Sequence, residues 1–161
     1  MRIAVLSDIH DNIWNLEKAL KQATDAAVLL CCGDLCSPFT RKMLADGFDG
    51  PVHIVFGNND GGVSLMHTVA ERLGNITFHK PIAQLELDGK RIAVAHYPEL
   101  GEALALCGKY DAVFSGHNHT ADVTHLGGTL WANPGEVMGR FGKPSLGIYD
   151  TQTGEFILRQ L

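Results

Sequence analysis

The sequence is poor in positive charge, in long apolar runs and in paired cysteines, and each shortage excludes a class of protein. Lysine and arginine together number 13 against 18 acidic residues, which gives a formal net charge of −5 at pH 7. Non-specific nucleic-acid binding needs an excess of lysine and arginine to neutralise phosphates, so we expect none here. No apolar run approaches the roughly 18 residues of a membrane span, and we expect a cytoplasmic protein without membrane contact.

The four cysteines lie at positions 31, 32, 36 and 107. Their spacing lacks the paired CxxC knuckles of a structural zinc site, so we expect reduced thiols. Cys31 and Cys32 lie in a run predicted to be a buried strand, where free cysteine behaves as a small hydrophobic residue. Hydrophobic residues make up 45% of the 161 positions and charged residues 19%, which is typical of a globular chain. We therefore expect one domain over residues 1–161.

Five short apolar runs each end in residues whose side chains can bind a metal ion. The residues that follow these runs are, in chain order, Asp8 and His10, Asp34, Asn58, His96, and His117 and His119. Because side chains alternate along an extended segment, we expect Asp8 and His10 to point to the same side. In open α/β sheets, ligands bind outside the carboxyl ends of the strands. The seven residues are therefore expected to converge on one site.

Hydrophobic periodicity predicts about four helices and many strands. The helices are expected near residues 13–23, 38–45, 62–73 and 99–107. The strands are expected near residues 3–6, 27–32, 52–56, 76–78, 82–87, 91–95, 112–115, 122–126, 129–132, 145–149 and 156–159. Asp88-Gly89 predicts a two-residue hairpin turn. Such a chain is expected to form an α/β (α+β) fold of two sheets packed face to face, with helices on the outsides.

The motifs that follow the strands give the chain a family resemblance. They are Asp8-Ile9-His10, Gly33-Asp34, Gly57-Asn58-Asn59-Asp60, His96 and Gly116-His117-Asn118-His119. In this order they resemble the calcineurin-like metallophosphoesterase superfamily, and the chain looks like its small prokaryotic phosphodiesterase type, which has a Vps29-like fold. The resemblance covers nearly the whole chain and implies a four-layer αββα sandwich with two mixed β-sheets.

The resemblance also implies a centre of two divalent metal ions. One ion would be held by Asp8, His10, Asp34 and His119, and the other by Asp34, Asn58, His96 and His117. Asp34 would therefore bridge the ions, with water or hydroxide as the second bridge, and Asp34, Asn58 and His117 are the expected catalytic residues. Imidazole, carboxylate and amide ligands without thiolate suit several divalent ions. We expect manganese, with iron, nickel, cobalt or zinc as alternatives.

The charge of such a centre favours a phosphate substrate. Two divalent ions outweigh the carboxylates of Asp8 and Asp34, and with a hydroxide about one positive charge is left in an acidic protein. We expect hydrolysis of a small organic phosphodiester by in-line attack of the metal-bridging hydroxide. The alternative is a scaffold that binds a protein partner, as Vps29 does, with little or no catalysis. Whether the chain forms a homo-oligomer stays open.

Several positions depart from the pattern of the family. The wider family often has histidine, the proposed acid for the leaving group, directly after the metal-binding asparagine, and this chain has Asn59 there. An amide cannot donate that proton. Tyr97 stands where glycine is frequent, and Glu136 replaces the usual serine. The expected substrate-binding residues are Asn12, Asn59 and Arg140.

Each motif also has a structural explanation when it is taken alone. Asp8 and Asp34 could cap helices, and residues 57–62 could form a plain turn. Only the ordered set of motifs favours a metal site over these explanations. The remaining histidines belong to no ligand-spaced cluster and are expected to be structural: His53, His67, His79 and His125.

Overall fold

A computed structural model describes residues 1–62 and 74–161, and this part of the chain contains eleven strands and three helices. The strands are β1 (Arg2–Leu6), β2 (Val28–Cys31), β3 (Val52–Val55), β4 (Ile76–His79), β5 (Ala83–Leu87), β6 (Lys90–Val94), β7 (Ala112–Phe114), β8 (Asp122–Leu126), β9 (Thr129–Asn133), β10 (Ser145–Asp150) and β11 (Phe156–Gln160). The helices are α1 (Ile13–Gln22), α2 (Pro38–Asp46) and α3 (Pro98–Leu106). The helix predicted over residues 62–73, with His67, lies outside the described residues.

The strands form two sheets. The order in the first sheet is β11-β10-β1-β2-β3-β4, and in the second it is β5-β6-β7-β9-β8. Strands β1 to β4 run parallel, whereas β10 and β11 are antiparallel to their neighbours. In the second sheet, β6, β7 and β9 run parallel between two antiparallel edge strands. Both sheets are therefore mixed, and their parallel strands direct polar loops to one edge.

The apolar side chains fill three spaces between four layers. Helices α1 and α2 bury Leu16, Leu20 and Leu44 in a cluster with residues of the first sheet. The two sheets enclose a second cluster, which includes Ile3, Val5, Leu30, Ile92 and Phe114. Helix α3 covers the other sheet with Ala105 against Ala93 and Val113. The order helix, sheet, sheet, helix confirms the expected αββα sandwich.

The helices begin directly after the loops that carry the candidate ligands. Asn12 caps α1 by accepting a hydrogen bond from the backbone N–H of Asn15 at 3.1 Å. Ser37 caps α2, and Pro38 occupies its first turn, where the missing amide proton is not needed. Asp11 Oδ1 accepts from the backbone N–H of Ser37 at 3.0 Å and so joins the starts of both helices. The helix starts therefore fix the two loops beside the site.

The cysteines agree with the expectation of reduced thiols. Cys31 and Cys32 are fully buried, and all four cysteines are free. Burial raises the pKa of the Cys31 and Cys32 thiols, so both stay protonated at neutral pH. None of the three described helices has the length and hydropathy needed to cross a bilayer.

Candidate metal centre

The loops after the strands bring the predicted ligands together in two groups. The first group is Asp8, His10 and His119, and the second is Asp34, His96 and His117. Within each group, one potential ligand atom from each residue lies within 4.8 Å of the others. The structure therefore brings six of the seven predicted residues together in two neighbouring groups, and their role as ligands stays a prediction.

Asp34 lies between the two groups. Its Oδ2 is 3.5 Å from Nε2 of His10 and 3.6 Å from Nε2 of His96. Asn58, the seventh predicted ligand, places its Oδ1 3.0 Å from the same His96 nitrogen. His117 Nδ1 lies 3.2 Å from that nitrogen as well. One carboxylate thus contacts both groups, as a bridging ligand would.

Two buried polar atoms indicate that the first group suits a cation. Asp8 Oδ2 accepts hydrogen bonds from Ser7 Oγ at 2.6 Å and from the backbone N–H of His117 at 2.9 Å. Asp8 Oδ1 and His10 Nε2 are buried without any hydrogen-bond partner, 3.9 Å apart, and His119 Nε2 lies 3.7 Å from the same oxygen. Buried polar atoms normally have partners. A divalent cation would supply one to each of these atoms, so the residues present fit a metal.

Partners behind two of the histidines orient their rings. His96 Nδ1 lies 2.7 Å from the backbone carbonyl of Cys32, and a proton on that nitrogen leaves the lone pair of Nε2 free. His10 Nδ1 lies 3.5 Å from Cys36 Sγ. Hydrogen bonds of this kind fix which nitrogen of a ligand histidine faces the metal. In both residues Nε2 faces Asp34.

Glu136 orients the third histidine. This carboxylate is fully buried. Its Oε2 lies 2.8 Å from His119 Nδ1, and its Oε1 accepts hydrogen bonds from the backbone N–H groups of Phe141 and Gly142 at 2.6 Å each. Burial alone would raise the pKa of Glu136, but His119 and the backbone donors of residues 140–142 outweigh it and lower the pKa. Glu136 therefore joins a candidate ligand to the following loop.

Most of the predicted ligands reach the candidate centre through left-handed backbone and not through strand alternation. Strand β1 ends at Leu6, and the φ angles of Asp8 and His10 are 52° and 45°. His117 and His119, beyond the end of β7, have φ angles of 71° and 61°. The prediction that an extended segment directs Asp8 and His10 to one side is therefore wrong. They meet because positive φ, rare in residues other than glycine, turns the chain sharply.

Asp60 holds two ligand loops in place. Its buried carboxylate accepts hydrogen bonds from the backbone N–H groups of residues 34, 35, 36 and 57 at 2.8 to 3.1 Å. Arg41, itself 1% exposed, donates from Nη2 to Asp60 at 2.7 Å. The Arg41 guanidinium carbon also lies 5.8 and 5.9 Å from the ring centres of Phe56 and Phe78. Neither role was predicted, since the sequence placed Asp60 in a ligand motif without naming a partner for it and gave Arg41 no role.

Two of the predicted substrate-binding residues lie beside the centre. Asn12 uses both ends of its side chain, because its Oδ1 caps α1 and its Nδ2 donates to the Met138 carbonyl at 2.8 Å. Arg140 is exposed, and its guanidinium carbon lies 5.7 Å from the ring centre of Phe141. Contact of either residue with a substrate stays a prediction.

Two departures from the family pattern also contact the centre. Asn59 donates from its backbone N–H to Asp34 Oδ1 and from its side-chain amide to Oδ2, both at 2.8 Å. The ring centre of Tyr97 lies 5.0 Å from that of His96 and 4.8 Å from that of His117. The position where the family often has histidine is therefore next to the candidate bridging carboxylate.

The other described histidines lie outside both groups. His53 Nδ1 and His79 Nε2 are 3.0 Å apart on neighbouring strands, and burial lowers the pKa of each imidazole. His125 is exposed on β8. None of the three belongs to a candidate metal group in the described residues, which agrees with the structural role expected for them.

Comparisons with known proteins match this arrangement. The model of the calcineurin-like phosphoesterase superfamily domain matches residues 1–154. Phosphodiesterase MJ0936 of Methanocaldococcus jannaschii is 29% identical over 161 residues, covering 97% of this chain and 96% of that protein. A solved archaeal phosphodiesterase superposes with a TM-score of 0.92 at 28% identity over the full length of both chains. Vps29 of Entamoeba histolytica complexed with zinc has a TM-score of 0.68 at 17% identity, covering 100% of this chain and 98% of that one, and is similar in fold alone.

Proposed function

This chain belongs to the calcineurin-like phosphoesterase superfamily and is a metal-dependent phosphoesterase, and from that premise we propose that it hydrolyses a small organic phosphodiester at a centre of two divalent ions. The observation that carries the proposal is the position of Asp34. Its Oδ2 lies within 3.6 Å of a histidine nitrogen from each ligand group. One carboxylate shared between two groups is the arrangement that a pair of ions requires.

The residues divide between the two ions as follows. Asp8, His10, His119 and Asp34 would hold one ion, and Asp34, Asn58, His96 and His117 would hold the other. The donor set of imidazole, carboxylate and amide suits manganese, with iron, nickel, cobalt and zinc as alternatives. Two divalent ions in such a centre lower the pKa of a water molecule and stabilise the charge on phosphoryl oxygens. The catalytic residues in this proposal are Asp34, Asn58 and His117.

The side chains around the ligands set the geometry and the charge of the site. Ser7 and the backbone of His117 fix Asp8 so that only Oδ1 is left for a cation. Asn59 holds both oxygens of Asp34 without adding a charge. Because an amide cannot donate a proton to an alkoxide, the leaving group departs on its own basicity or takes its proton from water. Substrates with acidic leaving groups are therefore expected to react fastest.

The ester class follows from charge. A phosphodiester carries one negative charge at neutral pH, whereas a monoester carries close to two, since its second pKa is about 6. The two groups contribute only two carboxylates, Asp8 and Asp34, so a centre with two divalent ions and a hydroxide retains about one positive charge. The single positive charge of the centre matches the single negative charge of a diester. The named phosphodiesterase relative supports the same class.

Metal analysis combined with turnover of two model substrates tests the proposal. We expect two ions per chain, activity that depends on them, and a higher kcat/KM for bis(p-nitrophenyl) phosphate than for p-nitrophenyl phosphate. A preference for the monoester would contradict the diesterase assignment. A single ion at saturating manganese, with metal scattering at one position only, would contradict the two-metal centre.

If the protein is instead a scaffold that binds a protein partner, we expect it to hydrolyse neither ester. Full occupancy by metal without turnover of either ester would favour it over the enzyme. The Vps29 structures support it by fold alone, because their identity to this chain is 16 to 21%. The complete set of ligand residues favours the enzyme.

A further inference from the structure

A cleft of about 330 Å³ opens directly beside the metal centre. Its walls include His119, Thr120, Phe141, Lys143, Leu158 and Gln160. His119 belongs both to this cleft and to the first ligand group. This shared residue makes the cleft a neighbour of the candidate metal centre.

Phe141 gives the cleft an aromatic wall. Its side chain is 71% exposed, although phenylalanine is normally buried. The ring packs edge-on against His119, with ring centres 5.0 Å apart and an angle of 81° between the planes. Leu158, 39% exposed on β11, adds a second apolar surface to the same cleft. Apolar surface in a concave site next to convergent polar groups is typical of a ligand pocket.

The aromatic wall is held in place by the buried Glu136. The backbone N–H groups of Phe141 and Gly142 donate to Oε1 at 2.6 Å, and His119 Nδ1 lies 2.8 Å from Oε2. One carboxylate thus fixes the aromatic residue and the candidate ligand relative to each other. A loop that is already ordered loses little entropy when a ligand binds, and such pre-organisation increases affinity.

The residues that line the cleft favour a flat aromatic group over a small alkyl group. Apart from His119, Lys143 is the one ionisable residue among the described walls of the cleft, and Thr120 and Gln160 offer neutral hydrogen-bonding groups. Aromatic groups stack on a phenylalanine face with moderate affinity, and neutral polar groups at the rim accept substituted or heteroaromatic rings. A small alkyl group would leave most of this surface exposed to water.

We propose that the cleft beside His119 is a subsite for one of the two ester groups of the substrate, and that it takes an aromatic or heteroaromatic ring stacked against Phe141. The proposal rests on the proposed diesterase function. It adds the chemical class of an ester group and a specificity-determining residue. Phe141 contacts the ester group and takes no part in the chemical step, so its effect falls on binding.

Binding of two product-like monoesters to the manganese-loaded protein tests the subsite without turnover. By calorimetry, the wild-type protein is expected to bind phenyl phosphate about tenfold more tightly than methyl phosphate, from the affinity of one aromatic contact. Phe141→Ala should remove this difference, and Phe141→Tyr should keep it. Phe39→Ala is the matched control, because Phe39 is 78% exposed on α2 and does not line this cleft.

The kinetic counterpart separates binding from chemistry. For bis(p-nitrophenyl) phosphate, Phe141→Ala should raise KM about tenfold and leave kcat little changed. Equal affinity of the wild-type protein for the two monoesters, or binding of neither, overturns the subsite, as does a retained preference in Phe141→Ala. Absence of diester turnover would reject the proposed function and leave the binding difference intact, so the two failures are distinguishable.

Discussion

Replacement of Glu136 by glutamine is expected to weaken metal binding at one of the two positions only. The carboxylate accepts hydrogen bonds from His119 through one oxygen and from two backbone N–H groups through the other. Glutamine has nearly the same shape, but one acceptor becomes an NH₂ donor. Whichever way the amide is turned, a donor then faces either His119 Nδ1 or the backbone donors. His119 loses its orientation, or the loop at residues 141–142 moves.

The magnitude follows from the contacts on each side of the centre. Changing the partner behind a metal-ligating histidine typically lowers metal affinity by about 10 to 100-fold, or roughly 1.4 to 2.8 kcal/mol. We expect this loss for the ion held by Asp8, His10 and His119. The second ion should lose little, because His96 is oriented by the carbonyl of Cys32, which the substitution does not touch.

Titration of the metal-free protein with manganese by calorimetry measures both affinities. The matched control is Glu102→Gln, since Glu102 is exposed on α3 and belongs to neither ligand group. Thermal unfolding of the metal-free variants verifies that both are folded. Equal weakening of the two ions, or no weakening of either, would refute the role assigned to Glu136.

Three further outcomes are expected. Asp34→Ala should lower the affinity for both ions and reduce activity by several orders of magnitude. Asp122→Ala, at an exposed site, should change neither. Comparable losses in the two folded variants would contradict the proposal that Asp34 bridges the ions. Asn59→His should raise the hydrolysis rate of a diester with an alkyl leaving group by up to ~10²-fold and change the rate for bis(p-nitrophenyl) phosphate little. An equal increase for both substrates would contradict the inference that the site lacks an acid for the leaving group. Burial lowers the pKa of His53 and His79 below 6.5, so the unfolded chain binds more protons near pH 6 and the free energy of unfolding falls as pH drops. Chemical denaturation at several pH values should show a shallower fall for His53→Asn. An unchanged dependence of the free energy of unfolding on pH would contradict this cause.

The local elements were predictable because local chemistry determines them. The first helix was expected over residues 13–23 and runs Ile13–Gln22. The hairpin turn at Asp88-Gly89 was inferred from the need for positive φ at both positions, and the observed angles are 51° and 73°. Strand order was not predictable in this way. Strand β9 lies between β7 and β8, and nothing in the pattern of one strand names its neighbours.

The sequence predicted which residues meet at the candidate site but not their geometry. The order of the motifs identified the residues that converge, since carboxyl ends of parallel strands meet at one edge. The conformation of each ligand depends on contacts with distant residues. Asp8, for example, is fixed by the backbone N–H of His117, 109 residues away in the chain. Such a contact leaves no local pattern around Asp8.

Two acidic residues were misjudged for the same reason. Glu136 was noted only as a departure from the family pattern, although it follows the end of β9 as the ligands follow their strands. If the rule that candidate ligands follow strand ends had been applied to β9, it would have placed Glu136 near the candidate centre. Asp60 was noted only as the last residue of a ligand motif and as part of a possible turn. Its carboxylate accepts five hydrogen bonds, four of them from backbone N–H groups of two ligand loops.

The glycine that precedes several ligands has a physical reason in the contacts between loops. A Cβ atom on Gly57 would lie 2.1 Å from Asp34 Oδ1, and one on Gly116 would lie 1.8 Å from Ser7 Oγ. Real atoms do not approach so closely, so any other residue would push apart the loops that carry Asp34 and Asp8. Five of the predicted ligands, Asp8, His10, Asp34, His117 and His119, themselves adopt positive φ, which costs about 1 to 3 kcal/mol each and persists only where surrounding contacts enforce it. Close contact at the glycines and the hydrogen bonds to Asp60 supply that enforcement. The pairing of glycine with a predicted ligand in these motifs is therefore a packing requirement of the loops, and it explains why local strand geometry did not predict how the chain brings these residues together.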